Sequence, residues 1–427
     1  MVAFVFFSCK KNKDGSAPKV DIASPLANST VNAGTFIHVE GTARDDRKLE
    51  TITIKVLSMD GNTQIADPVT LAPSGATYTI DSWIKVGDIH TSSNNYQVIV
   101  EAYDGTNKKK AYKDIYVVEI PRVLKKMIVV RDEGTGFAVD SLAGSSFFNF
   151  INRTSDFSGA SISNWHQQLY FAGKTSGVLE AWDLMLNQPK WTVPADIPAS
   201  TVPLFYYTGY DTWAQTLWQS FATGAGGTLR TVSAAGNFGA NLVMQPDHYA
   251  AALTYTTQYI IVAENPKLSG GNALLSYYFN TGFGLDQTTV VPFNSVKDIF
   301  ILSGDELVVI GNNSSQGELR VYDKNTNGFW EQFDLPAGKV YDAVQVDAEN
   351  YIIAHETGLL KYTHAPANLI NLTVGNKAQV LNLDHYSGIL WAGEGVIVKG
   401  YDPSTGFVGT TYVVADSVKA IVLHYNK

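Results

Sequence analysis

Leu307-Val308-Val309-Ile310-Gly311-Asn312-Asn313 is followed, across Ser314-Ser315-Gln316-Gly317, by Leu319-Arg320-Val321-Tyr322-Asp323 and then by Asn327-Gly328. An apolar run, a short polar loop, a second run closing in an aromatic–Asp pair and an Asn/Gly turn read as consecutive β-strands. The pattern recurs through the later chain. Its apolar centres fall at Ile128, Leu169, Leu217, Ile260, Leu307, Ile352 and Leu390, spaced 38 to 48 residues apart. The strands that follow begin near Phe137, Val178, Leu229, Leu274, Leu319, Leu359 and Val396, 6 to 14 residues later. Self-similarity at this period, with several strands per unit, is the signature of a β-propeller, and seven centres predict seven blades over residues 122–427. A helical solenoid would need a 3.6-residue period, which is missing. Val418-Lys419-Ala420-Ile421-Val422-Leu423 has the pattern of a first strand with no room for a blade behind it, while Ile128 lacks a good strand before it. Pairing the C-terminal strand with the first blade would remove the open edges.

Ala181-Trp182-Asp183 precedes Asn187 and Trp191, Val321-Tyr322-Asp323 precedes Asn327, Gly328 and Trp330, and Gly400-Tyr401-Asp402 precedes Thr405-Gly406. These resemble the repeat of PQQ-type, quinoprotein-like propellers in three of the seven units. The resemblance implies that Asp and Gly shape a hairpin and that Trp191 docks between neighbouring blades. A basic cluster and adjacent cysteines are lacking, so no quinone or other cofactor is expected.

Residues 18–121 carry short alternating runs, among them Ile52–Val56 and Tyr96–Val100, separated by turn clusters such as Asp60-Gly61-Asn62. This predicts an antiparallel β-sandwich. The stretch from Ser24-Pro25 through Gly41-Thr42-Ala43-Arg44-Asp45-Asp46 to Ala102-Tyr103-Asp104 resembles bacterial immunoglobulin-like (Ig-like) domains. Asp45, Asp46 and Asp104 also resemble the acidic calcium loops of cadherin-like domains. Calcium wants six to eight oxygens, however, and turn closure by Asp side chains accounts for the same residues.

Seven of the first eight residues are apolar, Ser8 precedes Cys9, and lysines follow. The run is too short to span a membrane and reads as the end of a secretion signal. Phe6-Phe7-Ser8-Cys9 resembles a bacterial lipoprotein signal of the Bacteroidetes type, which implies cleavage before Cys9 and lipidation of that cysteine, with residues 1–17 as signal remnant and tether. Acyl chains contribute about 0.8 kcal/mol per buried CH₂, so several of them anchor a protein stably. The expected location is the cell envelope, at the outer membrane, facing the periplasm or the surface. A basic stretch ahead of the apolar run is missing, so a translation start upstream of Met1 stays open.

Composition agrees with this class. The 427 residues hold 31 Lys+Arg against 40 Asp+Glu, a net charge of −9, which argues against nucleic-acid binding. Charged residues are only 17%, while Gly, Tyr and Phe are plentiful. That balance suits a sheet-rich extracytoplasmic protein. A single cysteine excludes an intrachain disulfide and a cysteine-based zinc site.

In a propeller, the loops from second to third strands and from fourth strands to the next blade open on one face. There the sequence gathers Arg131, Asp132, Glu133, Lys174, Asp247, His248, Glu264, Asn312, His355, Glu356 and Glu394. This polar, somewhat acidic rim suits a sugar, a cationic ligand or a protein loop. Tyr207, Tyr210 and Trp213 form a candidate aromatic platform, although large side chains also fill the wedges between blades. Asp347 and Asp384 are expected to shape turns on the opposite face. No H-E-x-x-H, G-x-S-x-G or phosphate-binding loop is present. A lipid-anchored binding or scaffold protein for a protein or glycan is therefore the leading expectation. A polysaccharide hydrolase or lyase using paired carboxylates such as Glu356 and Glu394 is the alternative.

Overall fold

The computed structural model describes residues 15–427 apart from 175–177, 195–204, 212–214, 224–225 and 269. Among the described residues every regular element is a β-strand. The chain divides into two compact units, Met1–Pro121 and Arg122–Lys427.

The first unit contains β1 (Lys19–Ser24), β2 (Ser29–Asn32), β3 (Thr35–Arg44), β4 (Thr51–Ser58), β5 (Val69–Leu71), β6 (Thr77–Val86), β7 (Asn94–Tyr103) and β8 (Lys108–Val118). They form two sheets, β1-β3-β6 and β2-β8-β7-β4-β5, around one apolar core. Period-two alternation dictates this packing. In β4, Ile52, Ile54 and Val56 are buried while Thr51, Thr53 and Lys55 between them are not. The chain changes sheets between β1, which pairs with β3, and β2, which runs parallel to β8. Asp104 closes its turn by accepting the N–H groups of Thr106 and Asn107, both at 2.6 Å.

The second unit is built from seven four-stranded antiparallel sheets among the described residues. In chain order these are β9 (Leu124–Asp132), β10 (Phe137–Ala143) and β11 (Ser146–Arg153), then β12 (Gly159–Ser163), β13 (Gln168–Ala172), β14 (Leu179–Asp183) and β15 (Gln188–Val193). Next come β16 (Phe205–Asp211), β17 (Thr216–Thr223), β18 (Gly226–Val232) and β19 (Phe238–Val243), then β20 (His248–Tyr255), β21 (Tyr259–Pro266), β22 (Leu274–Phe279) and β23 (Leu285–Val290). They are followed by β24 (Ser295–Ile301), β25 (Glu306–Asn313), β26 (Gln316–Asp323) and β27 (Gly328–Asp334), and by β28 (Val340–Gln345), β29 (Asn350–His355), β30 (Gly358–Thr363) and β31 (Asn368–Asn371). The last are β32 (Val380–Asp384), β33 (Ile389–Glu394), β34 (Ile397–Tyr401), β35 (Val408–Val413) and β36 (Val418–Tyr425).

The seven apolar centres read from the sequence all lie in the second strand of a sheet and are buried. The last strand, β36, joins the first sheet beside β9, with Val422 opposite Ile128. First strands touch in succession, β12 on β16, β20, β24, β28, β32 and β36, and β36 touches β12 again. This closed succession of sheets is the arrangement of a β-propeller. Side chains of the aromatic–Asp pairs shape the hairpins that follow them. Asp183 accepts the N–H groups of Met185 and Leu186 at 2.9 Å, and Asp402 accepts that of Ser404 at 2.7 Å. Trp191 donates its indole N–H to Ala234 O of the next sheet at 2.9 Å, and Trp330 lies edge-on to His364 of the next sheet at 5.8 Å. Trp191 thus docks against the neighbouring sheet, whereas Trp330 stays 53% exposed.

Candidate ligand channel and its two ends

Antiparallel connection sends the second-to-third and fourth-to-first loops to one end of the ring, called here the rim. The first-to-second turns go to the other end. All eleven polar residues expected at the rim lie in or next to the rim loops, but they are not brought into one cluster. Asp132, Glu133, Lys174, Asp247 and Glu356 reach solvent. Asp132 sits 3.0 Å from Lys419; the Gly134 N–H and this lysine hold its carboxyl below the usual range.

Of the others, all but the half-buried His248 turn inward. Arg131 is buried and bonds Asp140 at 2.8 Å, Glu133 at 2.8 Å and Asp416, in the loop before β36, at 2.7 Å. It thereby clasps the two chain ends of the ring. Asn312 is buried at the end of β25 and takes both backbone groups of Val340 on β28, accepting its N–H at 2.8 Å and donating to its carbonyl at 2.9 Å. Asn265 does the same to Val296 one sheet earlier. Glu264 is fully buried and accepts the Gln245 N–H at 2.7 Å; burial pushes its carboxyl up. His355 is also fully buried, its Nδ1 is 2.8 Å from Thr357 Oγ1, and burial pushes its imidazole down. Glu394 pairs with Lys399 at 2.6 Å and accepts the Tyr401 hydroxyl. His248 lies between the carbonyls of Pro246 at 2.7 Å and Asn272 at 3.2 Å.

Two cavities lie instead along the first strands. One cavity of about 630 Å³ runs between β12, β16, β28, β32 and β36, from Gln379 and Lys419 near the rim to Asn164, His385 and Tyr386 at the far end. A second, of about 640 Å³, shares Leu381, Asn382, Leu383 and His385 with it and adds Phe300, Gln345 and Asp347. None of the eleven rim residues lines either cavity, whereas Tyr210 lines the first. Tyr210 belongs to the far end, its ring stacked on Tyr170 with 6.0 Å between centroids and its hydroxyl 3.3 Å from His166 Nδ1. Tyr207 packs against the apolar cluster around Trp218 and Ala250. Trp213 and Cys9 lie outside the described residues. Asp347 accepts the Glu349 and Asn350 N–H groups at 2.9 and 3.0 Å, and Asp384 those of Tyr386 and Ser387 at 2.9 and 3.1 Å, so both shape turns at the far end.

A belt of polar side chains around the channel escaped the sequence reading. Asp298 on β24 accepts the Ala343 N–H of β28 at 3.0 Å; Asp342 on β28 accepts the Leu381 N–H of β32 at 2.6 Å; Asn382 on β32 donates to Ile421 O of β36 at 2.8 Å. Ser161 on β12 accepts the Tyr210 N–H of β16 at 2.7 Å. The available signal was the spacing Val296-Lys297-Asp298, Val340-Tyr341-Asp342 and Val380-Leu381-Asn382 at one place in three successive repeats. A register shift just before Asp298 and before Asp342 re-aims each carboxyl toward the neighbouring strand. Ser161, Asp342 and Asn382 line the cavity of about 630 Å³. Desolvation, then the Asp342 charge, raises the Asp298 carboxyl well above its usual range. Desolvation pushes Asp342 up to about 6. Two carboxyls this close share a proton rather than ionise together. Among the described residues no group of three or more His, Cys, Asp or Glu is placed to hold a metal ion.

The fold has solved counterparts. The chain is similar to hydrazine synthase of Kuenenia stuttgartiensis, with a TM-score of 0.50, 11% identity, and coverage of 62% of this chain and 90% of that one. It is also similar to the WD40 β-propeller domain of Doa1 (TM-score 0.49, 9% identity, 70% and 94% covered). The Dos1 propeller follows (TM-score 0.47, 12% identity, 70% and 87% covered). At these identities the likeness concerns the fold alone. Neither a known family nor a curated protein matches the sequence.

Proposed function

We propose that this chain is a binding lipoprotein of the bacterial cell envelope, anchored through Cys9, with an Ig-like spacer and a seven-bladed propeller that holds a protein loop or glycan at its central channel. The strand orders β1-β3-β6 and β2-β8-β7-β4-β5 support the Ig-like reading, because three strands oppose five and the chain crosses sheets after its first strand. Seven four-stranded sheets in closed succession support the blade count. The Cys9 context supports the anchor, on the outer membrane with either orientation.

The observation that carries the binding reading is the channel cavity of about 630 Å³ and its continuation past His385. Ligand pockets are of this size, with a few placed polar groups in an otherwise apolar lining. His385 supplies such a group at the far end. The exposed rim residues Asp132, Glu133, Asp247 and Glu356 are the weaker alternative, because they do not cluster. A photo-crosslinking amino acid placed at 385 or at 356 in the native envelope tests this. Adducts from 385 and not 356 are expected. Adducts from 356 alone move the site to the rim, and adducts from neither overturn the reading.

A polysaccharide hydrolase or lyase is the second reading, favoured by one feature: Asp298 and Asp342 offer a proton-sharing carboxyl pair at the channel wall. It ranks lower because both carboxyls are already engaged by backbone N–H groups of neighbouring sheets. Reducing-sugar release from soluble polysaccharides that vanishes in Asp298→Asn would raise it above the binding reading.

A further inference from the structure

We infer that the outward face of the sheet β1-β3-β6 carries a second binding site, a platform centred on Trp83 for a neutral saccharide chain. Alternation places Phe36, His38 and Glu40 of β3 on the solvent face, opposite Lys85, Trp83 and Asp81 of β6. Trp83 is 59% exposed and Phe36 62%. Single exposed apolar residues need no explanation, but two large exposed rings on diagonal positions of one sheet face lie within reach of a single extended ligand.

The indole is held in place. It stacks on the His38 imidazole at 4.6 Å between centroids and 14° between planes, which leaves its other face to solvent. His38 is fixed in turn by Asp81, 2.6 Å from Nε2, and by Glu40, 3.5 Å from Nδ1. A ring ordered before the ligand arrives loses little freedom on binding. Nothing inside the sandwich requires this arrangement, since its core lies on the opposite face of the sheet.

The surroundings select the ligand. On this face Lys19, Arg44 and Lys85 are matched by Asp21, Glu40 and Asp81, so neither a polyanion nor a polycation is favoured. Charged groups border the rings directly, whereas the centre of a protein–protein interface is depleted of charge. A pyranose ring satisfies both parts. Its C–H face lies on the indole, and its hydroxyls donate to the outer carboxylate oxygens of Asp81 and Glu40, the stronger kind of hydrogen bond. Phe36, diagonally across, receives a further sugar unit, and β6 at the sheet edge leaves the chain room to extend.

Affinity electrophoresis of the full chain tests this, in native gels containing β-glucan, arabinoxylan, galactomannan or, as the anionic control, polygalacturonate. At least one neutral polymer is expected to retard the protein. Trp83→Ala should weaken that retardation at least tenfold, Phe36→Ala about threefold, and Trp83→Phe should restore part of it. Both side chains lie on the surface, so unchanged thermal unfolding of each variant separates lost binding from lost folding. Retardation by no neutral polymer, retardation unaltered in Trp83→Ala, or retardation by polygalacturonate alone would each overturn the platform. Because Trp83 belongs to the sandwich, these outcomes are independent of the crosslinking result at the propeller channel.

Discussion

The sandwich and the propeller both pack sheet against sheet, but different forces hold them in register. Among the described residues the sandwich has one buried polar side chain, Thr91; every other buried polar or charged residue belongs to the propeller. Two sheets facing each other across one core need only apolar burial, which has no direction. A ring of sheets must also fix how far each one rotates and slides relative to the next, and burial alone leaves that loose. Directional bonds supply it: Asn265 and Asn312 at the rim, Asp298, Asp342 and Asn382 along the channel, and Arg131 at the join. The price is a set of buried polar groups, each costly when it loses its partner.

The largest test of this contrast is Arg131→Ala. It strands Asp140 without its cation, and breaking a buried pair from one side costs about 3–5 kcal/mol. Seven of the eight tryptophans lie in the propeller, so denaturant unfolding followed by tryptophan fluorescence reads mainly that unit. A loss below about 1 kcal/mol would mean that the ring closes on β36 pairing alone.

Asn312→Ala comes next. It removes both partners of the Val340 backbone, and an unsatisfied buried group costs about 1–3 kcal/mol. Faster amide exchange at Val340, with little change in the sandwich, is the accompanying expectation.

The Asp298–Asp342 pair gives a pH dependence. The folded protein keeps the Asp342 proton up to about pH 6, whereas the unfolded chain releases it near 3.8. The folded state therefore holds more protons across that window, and the pair's contribution falls as pH rises through it. The partial exposure of both residues limits the effect to on the order of 1 kcal/mol. Asp342→Asn replaces the shared proton with an amide donor. It should flatten the profile between about pH 4 and about pH 6 and stabilise the protein at neutral pH, as thermal melts would read. A steeper profile in the variant would refute the shared proton.

The smallest effect is expected in the sandwich. Ile54→Val removes one methylene from a fully buried site, for a loss of about 0.5–1.5 kcal/mol with no pH dependence. A strong pH dependence there would erase the contrast between the two regions.

Much of the architecture was legible because its causes are local. Alternation in Thr51–Ser58 places Ile52, Ile54 and Val56 on one face whatever lies opposite, and the repeat spacing locates each second strand by its apolar centre. The rim was legible as a set of loop positions, but the direction of its side chains was not. Glu264, Asn312 and His355 read as polar loop residues, and they are buried because each sits at a strand end covered by the neighbouring sheet. Trp83 gave no signal either: an aromatic residue on a strand reads as core until the partner strand shows which face is covered.

The order of strands, their alternation, the interval between repeats and the unpaired pattern at Val418–Leu423 belong to the amino-acid sequence alone, since each depends only on neighbours along the chain. Tertiary structure decided which carboxyls meet, which polar ends turn inward, where the cavity runs and which aromatic rings stay exposed. Those outcomes depend on contacts between strands far apart in the chain, and on register shifts of a single residue that turn a side chain from one neighbour to another.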